Sequence, residues 1–105
     1  MKQKRLKPEI RKAEILAAAL PLAAKKGYTN ITREEVASAA GVSGPALQYH
    51  FNTMAQFRRD LMRYAIRRAA DYSPGLRVLA QGLAVSDARA RGAGAELRAA
   101  ALRSI

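Results

Sequence analysis

Residues 27 to 51, GYTNITREEVASAAGVSGPALQYHF, constrain the fold of this chain more than any other stretch. They read as two short helices joined by a glycine turn. The first runs from Arg33 to Ala40, the turn is Gly41-Val42-Ser43, and the second starts near Gly44. A unit of this kind presents one helix to the DNA major groove. Each boundary has a physical cause. Thr32 is a good N-cap, and Glu35 stands where a capping box requires it. Gly41 takes the left-handed position that a Cβ would oppose. Ser43 caps the second helix, and Pro45 falls in its first turn, where a missing N–H costs little. Val36, Ala37 and Ala40 supply the apolar face of the first helix, and Val42 plugs the angle between the two. Leu47 and Phe51 share an inward face. Ala46, Gln48, Tyr49 and His50 are left outside or at the rim.

The rest of the chain also reads as helical, so the fold class is all-α. Half of the 105 residues are apolar, alanine dominates them, and no alternating β-branched run appears. The length suits one domain, or one domain with a helical extension. Residues 1–7 form a basic, flexible arm. Pro8 can open a first helix that runs to about Lys26 and ends at Gly27, with Ile15, Leu16, Ala19, Leu22 and Ala23 toward the core. Pro21 lacks an N–H for the Ala17 carbonyl and should kink that helix. Thr53 with Gln56 reads as a second capping box, opening a helix from Met54 to about Asp71. Its buried side is Phe57, Leu61, Tyr64 and Ala65, and Arg59, Arg63 and Arg67 form a charged stripe. Ser73 before Pro74 is the expected cap of a fifth helix carrying Leu76, Leu79 and Leu83. Ser86-Asp87 can cap another, and residues 96–103 look helical again.

The formal charge is +11. Such a charge bears on partners rather than on fold and puts nucleic acid first. The chain has no cysteine and one histidine, so neither a disulfide framework nor a metal site is expected. No nucleophile–base pair or phosphate-binding glycine loop stands out, so no cofactor and no catalysis are expected. No apolar run is long enough to cross a bilayer, and no signal peptide is evident, so the expected compartment is the cytoplasm with no membrane partner.

Residues 11 to 57, about half of the chain, resemble the N-terminal DNA-binding domain of TetR-type transcriptional repressors. The residues that carry the likeness are Arg11, Ile15-Leu16, Ala18-Ala19, Leu22, Gly27-Tyr28, Thr32, Val36-Ala37, Ala40-Gly41-Val42-Ser43, Leu47, Tyr49, His50-Phe51 and Phe57. The resemblance implies a three-helix reading head over residues 8–53. A linking helix 4 and a short helical dimerisation region would follow over residues 54–105. It implies a homodimer on double-stranded DNA, repressing nearby genes from a two-fold symmetric operator. Most family members are about twice this length and bind a small-molecule inducer in a larger C-terminal domain, so an inducer pocket of that kind is not expected.

The candidate DNA contacts are Lys4, Arg5, Lys7, Arg11, Thr32, Arg33, Glu34, Ser43, Gly44, Pro45, Ala46, Gln48, Tyr49 and His50. Thr32 and Ser43 can contact phosphate besides capping. Tyr49 can reach a base or phosphate and His50 a phosphate. Residues 44–46, 48 and 49 approach base edges, flanked by Arg33 or Glu34, and glutamine can contact adenine bidentately. The arm can follow phosphates or enter the minor groove. Gly44, Gln48 and Met54 depart from the family, which often has a polar residue, tyrosine and lysine there. Gly44 and Met54 motivate a rival reading. In it the chain is an interaction module that forms mixed dimers and antagonises related regulators without reading DNA specifically.

Overall fold

The computed structural model describes residues 7–104. The described chain is all-helical, with seven helices and no strand. They are α1 (Pro8–Lys26), α2 (Arg33–Ala40), α3 (Gly44–His50), α4 (Met54–Arg68), α5 (Ser73–Ala84), α6 (Ala88–Arg91) and α7 (Ala95–Arg103). The first three form the head. α5 packs on both α1 and α4, and α7 packs on α5. One continuous core joins all of them, from Ile15 and Leu20 through Phe51 and Phe57 to Val78, Leu79 and Ala101.

The local chemistry of the head follows the sequence closely. Thr32 Oγ1 accepts from the Glu35 N–H at 3.1 Å, and Glu35 Oε1 accepts from the Thr32 N–H at 2.9 Å. This reciprocal pair satisfies two N-terminal donors that the helix itself cannot. Gly41 closes α2 at φ 68°, ψ 33°. Its N–H reaches the Ser38 carbonyl at 3.2 Å, and the Val42 N–H reaches Ala37 at 3.0 Å, the paired bonds of a Schellman end. Ser43 then caps α3 by accepting from Ala46 N–H at 3.1 Å. Val36, Leu47 and Phe51 are buried, and the Phe51 ring meets Phe57 edge to face at 5.0 Å.

Elsewhere the structure corrects the sequence reading. α1 runs unbroken from Pro8 to Lys26 with Pro21 inside it and exposed, so the proline does not end the helix. Leu20 is fully buried and joins the expected inward set, whereas Leu22 is only partly covered. α4 ends at Arg68, three residues short of Asp71, and Met62 adds to its buried side. At its start, Thr53 accepts from Gln56 N–H at 3.0 Å, without the reciprocal side-chain bond of a full capping box. Ser73 is the first residue of α5 rather than its cap. Tyr72 takes the cap position without a side-chain bond.

The last thirty residues hold three helical pieces. α5 crosses α4 at close range because Gly75 has no side chain. A Cβ there would lie 2.8 Å from the Ala65 carbonyl oxygen and 3.2 Å from the Ala69 nitrogen, both backbone atoms that cannot step aside. α5 ends like α2, with Ser86 at φ 58° in the place usually held by glycine. Its N–H bonds Leu83 at 3.2 Å, and the Asp87 N–H bonds Gly82 at 2.8 Å. Asp87 then caps α6 by accepting from Arg89 N–H at 2.8 Å. Leu79 is fully buried within the chain, whereas Leu76, Leu83 and Leu97 are partly covered.

Candidate nucleic-acid interface

α3 has one inward and one outward side. Leu47 anchors it to the core, and the opposite side exposes Gly44, Pro45, Gln48 and Tyr49. Tyr49 is 76% exposed, a large aromatic held out in solvent with its body unburied. Ala46 is half-buried at the rim. Gln48 is exposed, and neither its amide oxygen nor its amide nitrogen is bonded among the described residues.

His50 closes the helix beside two cations of α1. Its imidazole packs edge-on against Tyr49 at 5.0 Å. Burial first, and then the charges of Arg11 and Lys12, hold its pKa below the ordinary histidine value. Its Nδ1 is buried without a hydrogen-bond partner among the described residues. Lys12 itself lies over the Phe51 ring, 5.6 Å from the centroid. The sequence points to Arg11 and not to Lys12. The signal that points to Lys12 is its contact with Phe51, which only the fold reveals. Arg11 is half-buried and reaches Glu14 at 3.8 Å, a loose surface pair worth little.

The remaining candidates divide by location. Lys4 and Arg5 lie outside the described residues. Lys7 is exposed at the start of α1, and its carbonyl accepts from Ile10 and Arg11 at 3.0 Å each. Thr32 and Ser43 are both exposed and both occupied as caps, yet a hydroxyl oxygen in that role retains its own O–H to donate. Arg33 is half-buried at the first turn of α2. Glu34 is exposed and lines a shallow surface hollow with Leu22, Glu35, Ser38 and Ala39. Met54, where the family often has lysine, is partly buried against the core. Its side chain replaces a cation with packing.

Among the described residues no three His, Cys, Asp or Glu side chains gather as metal ligands. No helix there is long and apolar enough to cross a membrane. Two open surface grooves are present among the described residues. The groove between α1 and α4, about 230 Å³, mixes Lys12, Arg63 and Arg67 with Glu9 and Asp60.

An exposed α3 on a capped, glycine-turned α2–α3 unit, with cations beside its C-terminal end, has the form of a DNA-reading head. The comparisons agree. The family model described as bacterial regulatory proteins, tetR family, matches residues 15–61. No curated protein and no solved structure matches the chain. Residues 15–61 thus make a helix–turn–helix domain of the kind found at the N-terminus of the tetR family of bacterial regulatory proteins, a DNA-binding domain of transcriptional regulators.

Proposed function

We propose that this chain is a repressor that binds an inverted-repeat operator as a homodimer in the cytoplasm. The observation that carries the reading is the outward side of α3, where Gly44, Pro45, Gln48 and Tyr49 stand exposed while Leu47 fixes the helix from behind. In this reading Gln48 contacts a base edge, and Tyr49 reaches a base or a phosphate. Thr32, Ser43 and His50 contact phosphates, and Lys7 and Arg11 add counterion release, as do Lys4 and Arg5. Arg33 and Glu34 flank the groove, and Ala46 borders it. Gly44 contributes no side chain, which lets the backbone approach the duplex.

The pairing surface is drawn from residues after 54. Leu79 is spent on the chain's own core, so pairing falls to the exposed Val85 and Leu102 and the partly covered Leu76, Leu83 and Leu97. These are few, which suits two copies that associate strongly only on the operator. The C2 symmetry of such a pair sets the half-sites one helical turn apart, about 34–36 Å.

Selection from random duplexes tests the reading. An enriched inverted repeat supports it. Binding without any enriched sequence would instead favour the interaction module that antagonises related regulators through mixed dimers.

A further inference from the structure

Every side-chain hydrogen bond among the described residues that spans more than nine positions meets at one place. That place is the joint where α1 ends and the chain turns toward α2. Gln81, on α5, supplies three of the four bonds. Its Nε2 donates to the carbonyls of Ala23 and Ala24, both at 3.1 Å. Its Oε1 accepts from the Tyr28 N–H at 2.8 Å. The Tyr28 hydroxyl donates the fourth, to Asp87 Oδ2 at 2.7 Å. The partners lie 53 to 59 residues apart in sequence.

The chemistry is specific to an amide. At the end of α1 the Ala23 carbonyl accepts only from the Gly27 N–H at 2.7 Å and the Ala24 carbonyl has no i+4 backbone donor, while the first N–H beyond Gly27 needs an acceptor. A glutamine side chain can satisfy both needs at once, being donor and acceptor in one plane. Burial and the neighbouring Asp87 carboxylate push the Tyr28 hydroxyl above the ordinary tyrosine range, so it stays a donor. On the solvent side the same joint is closed by Lys26 paired with Glu35, and by Asn30 Nδ2 on the Lys26 carbonyl at 3.0 Å. Gln81 therefore fixes the direction in which the chain leaves α1, and with it the pose of α2 and of α3 packed on α2.

We infer that Gln81, supported by Asp87 through Tyr28, is a positioning residue for DNA reading. It makes α5 and α6 a backing for the head rather than a separate appendage. This rests on the proposed reading of DNA by α3. Base recognition tolerates only about half an ångström of misplacement, so a loosened joint is felt at the far end of α3. Non-specific attraction to phosphate needs no such accuracy.

The experiment uses the full chain with Gln81→Met, which keeps the length and apolar stem and loses all three bonds. Tyr28→Phe is the milder partner, losing only the bond to Asp87. Two readouts are taken: the ratio of operator to non-operator affinity, and amide exchange along α2 and α3. The inference expects the ratio to fall about tenfold for Gln81→Met, with non-operator affinity unchanged. Exchange should speed up in α2 and α3, and Tyr28→Phe should show the same pattern more weakly. An unchanged ratio with unchanged exchange would overturn it. So would equal losses on both DNAs in proportion to unfolded protein, which is mere destabilisation. If the parent itself prefers no sequence, the DNA reading fails separately, and exchange alone decides. Faster exchange confined to α2 and α3 then upholds the positioning role, and parental exchange removes it.

Discussion

The α2–α3 turn and the α1–α2 joint each set the angle between two helices, and they do it by opposite means. At the turn the side-chain bond is local: Ser43 accepts from the Ala46 N–H, three residues on. The joint has local bonds on its solvent side, Asn30 on the Lys26 carbonyl and Thr32 with Glu35, but from behind it is held by Gln81 and Asp87, 53 to 59 residues from their partners. The turn leaves an exposed surface in front, with Gln48 and Tyr49 in solvent, whereas the joint is covered from behind by α5. Local caps let a short helix stand with one side free, because nothing else need touch it. Long-range bonds use up surface, and they tie the head to the rest of the chain. In the proposed reading the front meets the DNA and the rear stays still.

Substitutions behind the head should therefore cost stability, and those in front should cost binding. The largest effect belongs to Phe57, fully buried on the inner side of α4 against the Phe51 ring. Phe57→Ala should destabilise by about 3–5 kcal/mol, a large share of what a domain of this size has. Urea unfolding followed by circular dichroism would measure it, and operator binding should be lost with the fold. Gly75→Ala comes next. Its Cβ would press on the Ala65 carbonyl and the Ala69 nitrogen, forcing α5 off α4 at a cost of about 1–3 kcal/mol. Both losses should appear without any DNA present.

The front should behave in the reverse way. Gln48→Ala should leave the melting temperature within a few degrees, since an exposed side chain contributes little to stability. It should relax discrimination at one operator position by about 1–3 kcal/mol, measured by competition among single-base variants. A change in melting but none in base preference would place Gln48 with the structural residues.

The smallest effect is a pH dependence in which front and rear part company. His50 has a folded-state pKa below the ordinary value, owing to burial and then to Arg11 and Lys12. As pH falls through the ordinary histidine range the unfolded chain takes up the proton first. The stability contribution is thus present above that range and lost below it. A phosphate beside the imidazole would favour the charged form, so operator affinity should rise by a few-fold over the same interval. His50→Gln should flatten both trends. If affinity falls with stability instead, His50 meets no phosphate.

The same contrast explains what was legible in the sequence. The α2 boundaries follow from Thr32, Glu35 and Gly41, because caps and left-handed glycines act within a few residues. Leu47 and Phe51 were recognisable as inward by their spacing. The Gln81 bonds leave no such trace, since an isolated glutamine on an apolar helix resembles any surface residue until Tyr28 and Ala23 are placed beside it. Ser73 looked like a cap because it precedes Pro74, yet the chain enters the helix one residue earlier, at Tyr72. Ser86 carries no glycine signature although its backbone is left-handed. The exposed side of α3 was readable as exposed. What it touches depends on a partner, and no sequence pattern within the chain records that.

Amide chemical-shift mapping during titration with the selected duplex tests the central claim most directly. The account predicts shifts concentrated at Lys7 and Arg11, at Thr32 and Arg33, and along residues 43–50. Gln81 and the buried face of α5 should stay close to their free positions. Shifts centred on α5 and α7, with Gln48 and Tyr49 unmoved, would contradict it.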